Sequence, residues 1–124
     1  MADLELDGVN SKAKINKIES DTGSTIITSD TTLASGNGYF VNTTSSTITV
    51  TLPASPSVGD YLQIKDYAGT FATNNLTIAR NGSNIQGEAF DSLISTNRAA
   101  LKLVYADATK GWLYVEESNV GDLE

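Results

Sequence analysis

The chain has 124 residues and a formal net charge of −7, and it contains neither histidine nor cysteine. This length suits one domain. An acidic surface repels phosphate backbones and anionic headgroups, which argues against nucleic acid and membranes as partners. Without histidine or cysteine the chain lacks the commonest general base, thiol chemistry and the usual transition-metal ligands. The composition therefore favours a structural or binding role over an enzymatic one.

Residues 1–24 are dense in charge and differ from the rest of the chain. Their apolar residues are sparse, and Leu4 and Leu6 alternate with acidic residues as in an edge strand. Such a stretch cannot form a hydrophobic core of its own. We interpret it as an extended N-terminal arm that anchors the domain on a neighbouring protein; an arm folded back on its own domain is the alternative. The residues expected to make the anchor are Lys12, Lys14, Ile15, Lys17 and Ile18.

From Thr25 onwards the sequence is typical of short β-strands separated by turns rich in Gly, Asn, Asp and Pro. The clearest strand is 47–52, where apolar residues alternate strictly with threonines, so that one face is apolar. No window shows a sustained helical period. The strands are expected in the runs 25–28, 39–41, 47–52, 61–66, 75–80, 83–85, 100–105 and 111–116.

Two of the connections carry a specific turn signal. Asn81-Gly82 has the composition of a two-residue type I′ hairpin turn that leads into residues 83–85. Residues 107–110 are expected to join the last two strands as a closing hairpin.

About eight short strands at this spacing indicate an all-β fold, either a sandwich, a jelly roll or a small barrel. We predict an antiparallel β-sandwich or jelly-roll-like domain over 25–116, preceded by the arm and followed by an acidic tail, 117–124. The core residues expected from the alternation are Ile48, Val50, Leu52, Leu62, Ile64, Leu76, Ile78, Leu101 and Leu103.

The acidic residues of this domain fall largely at expected turns, where an aspartate caps the local backbone; examples are Asp60, Asp66, Asp91 and Asp107. Two opposed carboxylates in a cleft, as in glycosidases, are an alternative that the sequence leaves open. A Ca²⁺ ion held by oxygen ligands at such turns is another. We expect no catalytic residue, no cofactor and no metal site.

The aromatic residues are candidates for contacts. Trp112 and Tyr114 share one face of their strand, and Leu113 and Val115 share the other. One face is expected in the core; the other would form a subunit interface or a platform that stacks on sugar rings, and we favour the interface. The loops 66–71 and 91–95 are the expected contact loops. The residues predicted to contact an oligomer mate or partner are Tyr67, Phe71, Trp112 and Tyr114.

A longer pattern of strands and turns runs through GYFVNTT (38–44), ITVTLPASPSVGD (48–60), KDYAGTF (65–71) and NNLTIARNGSNI (74–85). This pattern resembles a module of tailed-bacteriophage virion proteins, in particular structural and fibre-like proteins of marine phages such as cyanophages. The arm segment INKIESDTGS (15–24) also resembles the N-terminal segment of such fibre proteins.

The resemblance implies a location in the virion, with assembly in the host cytoplasm, and a β-rich homotrimer whose partners are other capsid or tail proteins. A single module cannot project far from the particle, so we expect a non-enzymatic capsid decoration (cement) protein that stabilises the particle. The alternative is a short tail-fibre or tail-tip subunit that contributes to host recognition. A host-surface glycan is a further candidate partner.

Overall fold

Residues 24–118, which the computed structural model describes, form nine β-strands that pack as two sheets around one core. The strands are β1 Ser24–Ile27, β2 Thr31–Thr32, β3 Asn37–Val41, β4 Ile48–Thr51, β5 Tyr61–Asp66, β6 Leu76–Ala79, β7 Ser92–Ile94, β8 Ala100–Asp107 and β9 Gly111–Ser118. One sheet has five strands in the order β1-β3-β5-β8-β9, and the other has four in the order β2-β4-β6-β7.

The first six strands alternate between the two sheets. β1, β3 and β5 lie side by side in the five-stranded sheet, and β2, β4 and β6 do so in the four-stranded sheet, with parallel pairing in both. The chain therefore winds as a flattened coil in which each turn adds one strand to each sheet. β7, β8 and β9 then pair antiparallel and complete the two sheets.

The predicted all-β fold of two layers is confirmed, but its sheets are mixed rather than antiparallel throughout. Alternation of apolar and polar residues determines which face of a strand is buried, and it is the same in parallel and antiparallel ladders. The direction of pairing depends on the connections. The connections after β1, β3 and β5 carry the chain across to the other sheet instead of back along the same sheet. They are residues 28–30, 42–47 and 67–75.

The core predicted from the alternation is confirmed. All nine of its residues are buried, with exposed fractions from 0% to 4%. Thr49 and Thr51 of β4 lie on the opposite face and are half-buried. The core also contains buried apolar residues outside the predicted set: Ile27, Leu33, Tyr39, Val41, Phe71, Ile85, Ile94, Ala99 and Trp112.

The Asn81-Gly82 turn has the predicted conformation but not the predicted partner strand. Both residues have positive φ, 51° and 91°, as type I′ requires, and the N–H of Ser83 donates to the carbonyl of Arg80 at 3.2 Å. The chain does not return along β6. It crosses to the five-stranded sheet, where Ile85 forms an isolated bridge with Trp112 of β9. The type I′ turn is thus confirmed, and the hairpin into 83–85 is wrong.

The closing hairpin of β8 and β9 is confirmed. The carboxylate of Asp107 accepts the backbone N–H groups of Thr109 and Lys110, at 3.0 and 2.7 Å, and so fixes the turn. Gly111 follows with φ of 71°, and a Cβ at this position would lie only 1.9 Å from the carbonyl oxygen of Asn84. Glycine is therefore required where the crossing segment packs on β9.

The arm at 1–23 and the tail at 119–124 lie outside the described residues. Ser24, assigned from the sequence to the arm, belongs to β1, and Glu117 and Ser118, assigned to the tail, belong to β9.

Candidate interaction surfaces

The acidic side chains at turns are bound to the local backbone. Asp60 accepts the N–H of Ser57 at 2.8 Å, and Asp91 accepts that of Arg80 at 3.0 Å. Asp30 likewise accepts a backbone N–H, that of Thr49, at 2.8 Å. These carboxylates serve as turn caps, as predicted. Within 24–118 no three acidic side chains come together as a metal-binding group.

Asp66 is the most buried of these acids, with an exposed fraction of 2%. Its Oδ1 accepts the N–H groups of Gly69 and Thr70, at 2.9 and 3.2 Å, and its Oδ2 accepts those of Phe71 and Arg98, at 3.1 and 2.9 Å. Four donors thus converge on one carboxylate, which satisfies the buried charge. The predicted contact loop 66–71 is wound around this side chain.

The predicted contact residues of this loop separate in the structure. The side chain of Tyr67 lies on the surface of the loop and the residue is 53% exposed, whereas Phe71 is fully buried. The expectation that Phe71 lies at the surface is wrong, because the ring fills the core below the loop. A partner contact by Tyr67 stays a prediction.

Trp112 is also fully buried, so it does not lie on the interface face for which it was predicted. Its ring packs edge to face on Tyr105, with centroids 5.6 Å apart. The indole Nε1–H makes no hydrogen bond with any described residue. The face of β9 that carries Trp112 and Tyr114 is thus the core face.

Tyr114 is half-buried at the edge of this core. Its hydroxyl is enclosed and makes no hydrogen bond of normal geometry with a described residue. Burial raises the pKa of Tyr114 above 10.0; the nearby Ser92 side chain acts in the lowering direction, and the charge of Glu117 adds to the rise. An oligomer contact through Tyr114 stays a prediction.

The second predicted contact loop, 91–95, contains β7, the edge strand of the four-stranded sheet. Leu93 is 62% exposed there, whereas Ile94 is buried. Phe90, just before the loop, is 72% exposed. Phe90 and Leu93 therefore present exposed apolar surface at and just before this loop. The sequence analysis predicted the loop 91–95 as a contact region but did not name either residue as a contact.

The outer face of the five-stranded sheet carries a trough of about 560 Å³. Its lining consists of three consecutive rows of residues, and each row crosses β3, β5, β8 and β9 in register. The first row is Gly38, Gln63, Lys102 and Glu116. The second row is Tyr39, Ile64, Leu101 and Glu117. The third row is Phe40, Lys65, Ala100 and Ser118.

The middle row explains the shape of the trough. Tyr39, Ile64 and Leu101 point into the core, so on the outer face this row offers backbone and forms a floor. The first and third rows point outward and form the two walls. Gly38 in the first row and Ala100 in the third have little or no side chain, so no side chain from these two positions fills the space above the floor.

Each wall of the trough contains one lysine. The Nζ of Lys65 donates to the carbonyl of Arg98 at 2.9 Å, and the Nζ of Lys102 lies 5.2 Å from the centre of the Tyr61 ring. Neither ammonium group is paired with a carboxylate of residues 24–118. Exposed apolar side chains flank the trough on the edge strands, namely Ile26 of β1 and Val115 of β9, at 53% and 52% exposure.

The sequence prediction did not identify this trough. Its outward residues alternate with core residues on β3, β5 and β8, so the alternation alone indicates which side chains face out. It cannot indicate which outward residues become neighbours, because that depends on the register between strands. The predicted anchor residues Lys12, Lys14, Ile15, Lys17 and Ile18 lie outside the described residues.

No protein-family model matches the chain. The chain is similar to baseplate wedge protein gp10 of Enterobacteria phage T4, with 33% identity over 89 residues. The similarity covers 68% of this chain but only 14% of that relative's length. Among the described residues there is no helix that could cross a membrane. The relative is by its name a component of a phage baseplate. The similarity therefore supports the resemblance to phage virion proteins in general, without distinguishing capsid from tail.

Proposed function

We propose that this chain is a non-enzymatic structural module of a phage virion. The observation that carries the proposal is the similarity to a phage baseplate protein over 68% of the chain. The described fold agrees with such a role, because its turn carboxylates are bound to backbone N–H groups and its two sheets share one continuous core. A virion component needs a stable fold, and the continuous core of the two sheets supports the proposal in that respect.

For its position in the particle, we favour the tail over the capsid. The relative belongs to a baseplate, which is a tail structure, and this supports the alternative of a short tail-fibre or tail-tip subunit. Capsid decoration by a cement protein is the second candidate, supported by the small size of the two-sheet domain. A cement protein would stabilise the particle because it binds the assembled shell and not its free subunits.

The arm supplies the contact with other virion proteins in this proposal. Its lysines would pair with acidic patches on the neighbour, and its isoleucines would add apolar contact; the residues concerned are Lys12, Lys14, Ile15, Lys17 and Ile18. An extended segment can also add a strand to the edge of a neighbour's sheet.

We further propose a homotrimer. Closed symmetric assembly is the norm for homo-oligomers, and the exposed apolar side chains of Phe90 and Leu93 give the module surface to bury against another copy. In a tail-tip position a host-surface glycan is a candidate ligand, and the exposed ring of Tyr67 is the aromatic surface on which a sugar would stack.

Incorporation into particles tests the proposal. Phage carrying the triple variant Lys12→Glu, Lys14→Glu and Lys17→Glu should yield particles that lack the protein, because the arm no longer pairs with its neighbour. The matched control is Lys110→Glu, an exposed charge reversal in the closing hairpin. Equal incorporation of both variants would refute the anchor, and absence of the unaltered protein from purified particles would refute the virion role itself.

A further inference from the structure

We propose that residues 3–7 of the arm bind in the trough on the outer face of the five-stranded sheet of the same chain. This segment, Asp-Leu-Glu-Leu-Asp, alternates leucine with acid. The inference concerns the free protein and holds whether or not the chain is a virion component.

The dimensions of the trough fit one extended segment of this length. Its walls are two residues apart along each strand, which makes it about 7 Å wide, and it crosses four strands, which makes it about 14 Å long. Five extended residues span about 13 Å between their first and last Cα atoms. One extended stretch of chain therefore fits along the floor.

The chemistry of the segment fits the walls and floor. Leu4 and Leu6, two residues apart, would point towards the open floor beside Gly38 and Ala100. The acids on either side of them would then lie within reach of Lys65 and Lys102, which have no carboxylate partner among the described residues. Glu116 and Glu117 both line the β9 end of the trough, so the end acid at β9 should stay in solvent. Glu5, in the middle of the segment, should lie between Lys65 of β5 and Lys102 of β8.

The connection of the arm to the sheet favours the same chain over a second copy. Ser24, the first residue of β1, pairs with Gly38, which is the first residue of a trough wall. The intervening residues 8–23 could extend over about 50 Å, several times the length of the trough. A tether of this length gives an effective concentration in the millimolar range, far above that of a second molecule in dilute solution.

This docking would shape the rest of the arm. With residues 3–7 held on the sheet and Ser24 fixed in β1, residues 8–23 become a loop closed at both ends. The loop contains the lysines and isoleucines of the proposed anchor. A closed loop has fewer conformations to lose on binding than a free arm has.

Disulfide trapping tests the docking, since the chain has no native cysteine. The double variant Leu6→Cys, Ala100→Cys is oxidised in the full-length protein at low concentration. The matched control is Leu6→Cys, Val58→Cys, whose second position is 76% exposed in a loop that does not line the trough. Peptide mapping by mass spectrometry should show an intrachain link that forms at least tenfold faster in the first variant.

Charge reversal sharpens this test. Adding Lys65→Glu and Lys102→Glu to the trapping variant should remove its rate advantage, and further changing Asp3 and Glu5 to lysine should restore it. Equal rates in the trapping and control variants would overturn the proposal. So would a link that forms only between chains, because the occupant would then be a second copy.

Lysine acetylation provides a measurement on the unaltered protein. Docked acids should slow the reaction of Lys65 and Lys102 relative to Lys110, an exposed internal reference. The variant Asp3→Lys, Glu5→Lys, Asp7→Lys should speed acetylation of the two trough lysines severalfold and leave Lys110 unchanged. Identical footprints in the two proteins would contradict the docking.

Discussion

The carboxylate of Asp66 accepts the backbone N–H of Arg98, 32 residues later in the chain, at 2.9 Å. The same side chain accepts three N–H groups of its own loop, those of Gly69, Thr70 and Phe71. Asp66 thereby ties the end of β5 to the segment that precedes β8. These two strands are neighbours in the five-stranded sheet and form the centre of the trough.

Replacement of Asp66 should therefore cost far more stability than replacement of an ordinary turn aspartate. Asp66→Asn places an NH₂ group against backbone donors and removes a charge that four of them stabilise, so we expect a loss of about 2–4 kcal/mol in the free energy of unfolding. Asp60→Asn, at a less buried cap with a single donor, should cost less than about 1 kcal/mol. Urea unfolding followed by circular dichroism measures both, and equal losses would show that the convergence of donors on Asp66 is not important.

Gly111 should tolerate no side chain. Gly111→Ala forces a Cβ against the Asn84 carbonyl at a backbone with positive φ, so we expect a loss of about 3 kcal/mol or more. Gly82→Ala is the control, because φ there is 91° but the space around it is open, and only the backbone strain of about 1 kcal/mol applies. Thermal unfolding of the two variants gives the comparison. A Gly111 variant no worse than the Gly82 variant would mean that the crossing segment can move away from β9.

Burial of a charge on β4 should unfold the domain. Val50 is fully buried. Val50→Asp should lower the free energy of unfolding by about 4 kcal/mol or more, because the new carboxylate would have no partner in the core. Thr77→Asp puts the same side chain on the outward face of the neighbouring strand β6 and should cost about 1 kcal/mol or less. Comparable losses for the two variants, measured by urea unfolding, would contradict the assignment of the two faces.

Tyr114 should make stability depend on pH at the alkaline end. Burial raises the pKa of Tyr114 in the folded state above its unfolded value of 10.0, so the folded state holds the proton more tightly. The stabilisation is fully present below pH 10 and is lost as the pH rises through the folded pKa. Tyr114→Phe should flatten this decline, because the variant lacks the hydroxyl group that titrates.

The matched control for this titration is Tyr67→Phe, since the Tyr67 ring is exposed. Unfolding free energies of both variants and of the unaltered protein, measured at several values between pH 7 and about pH 11, separate the two tyrosines. An alkaline decline that persists unchanged in Tyr114→Phe would assign the pH dependence to other groups.

The sequence was sufficient to identify seven of the nine strands described in 24–118 and the buried face of most of them, because alternation records burial directly. The short strands β2 and β7 were not predicted, and the strand predicted at 83–85 is only an isolated bridge at Ile85. In β4, Ile48 and Val50 alternate with threonines, so only the face that carries these two residues could be the buried one. In β9 both faces are apolar, Trp112 and Tyr114 on one and Leu113 and Val115 on the other. Alternation could not decide between these faces, and the fold places Trp112 inside and leaves Val115 52% exposed.

Pairing direction and the trough could not be predicted because both depend on contacts between residues distant in sequence. Gln63 and Lys102 become neighbours only when β5 and β8 pair in one register. The Asp66 carboxylate also bridges the end of β5 and the segment before β8; its role as a cap was expected, but its contact with Arg98 was not. Local patterns contain no information on such a contact.

Quantitative mass spectrometry of purified particles tests whether the protein has a structural role in a phage virion. Particles of the phage that encodes this chain are separated into capsids and tails, and the copies of the protein in each fraction are counted against other virion proteins. We expect the protein to co-purify with particles at a fixed ratio, in the tail fraction and in a small multiple of the baseplate proteins. Absence of the protein from both fractions would refute a structural role in the virion.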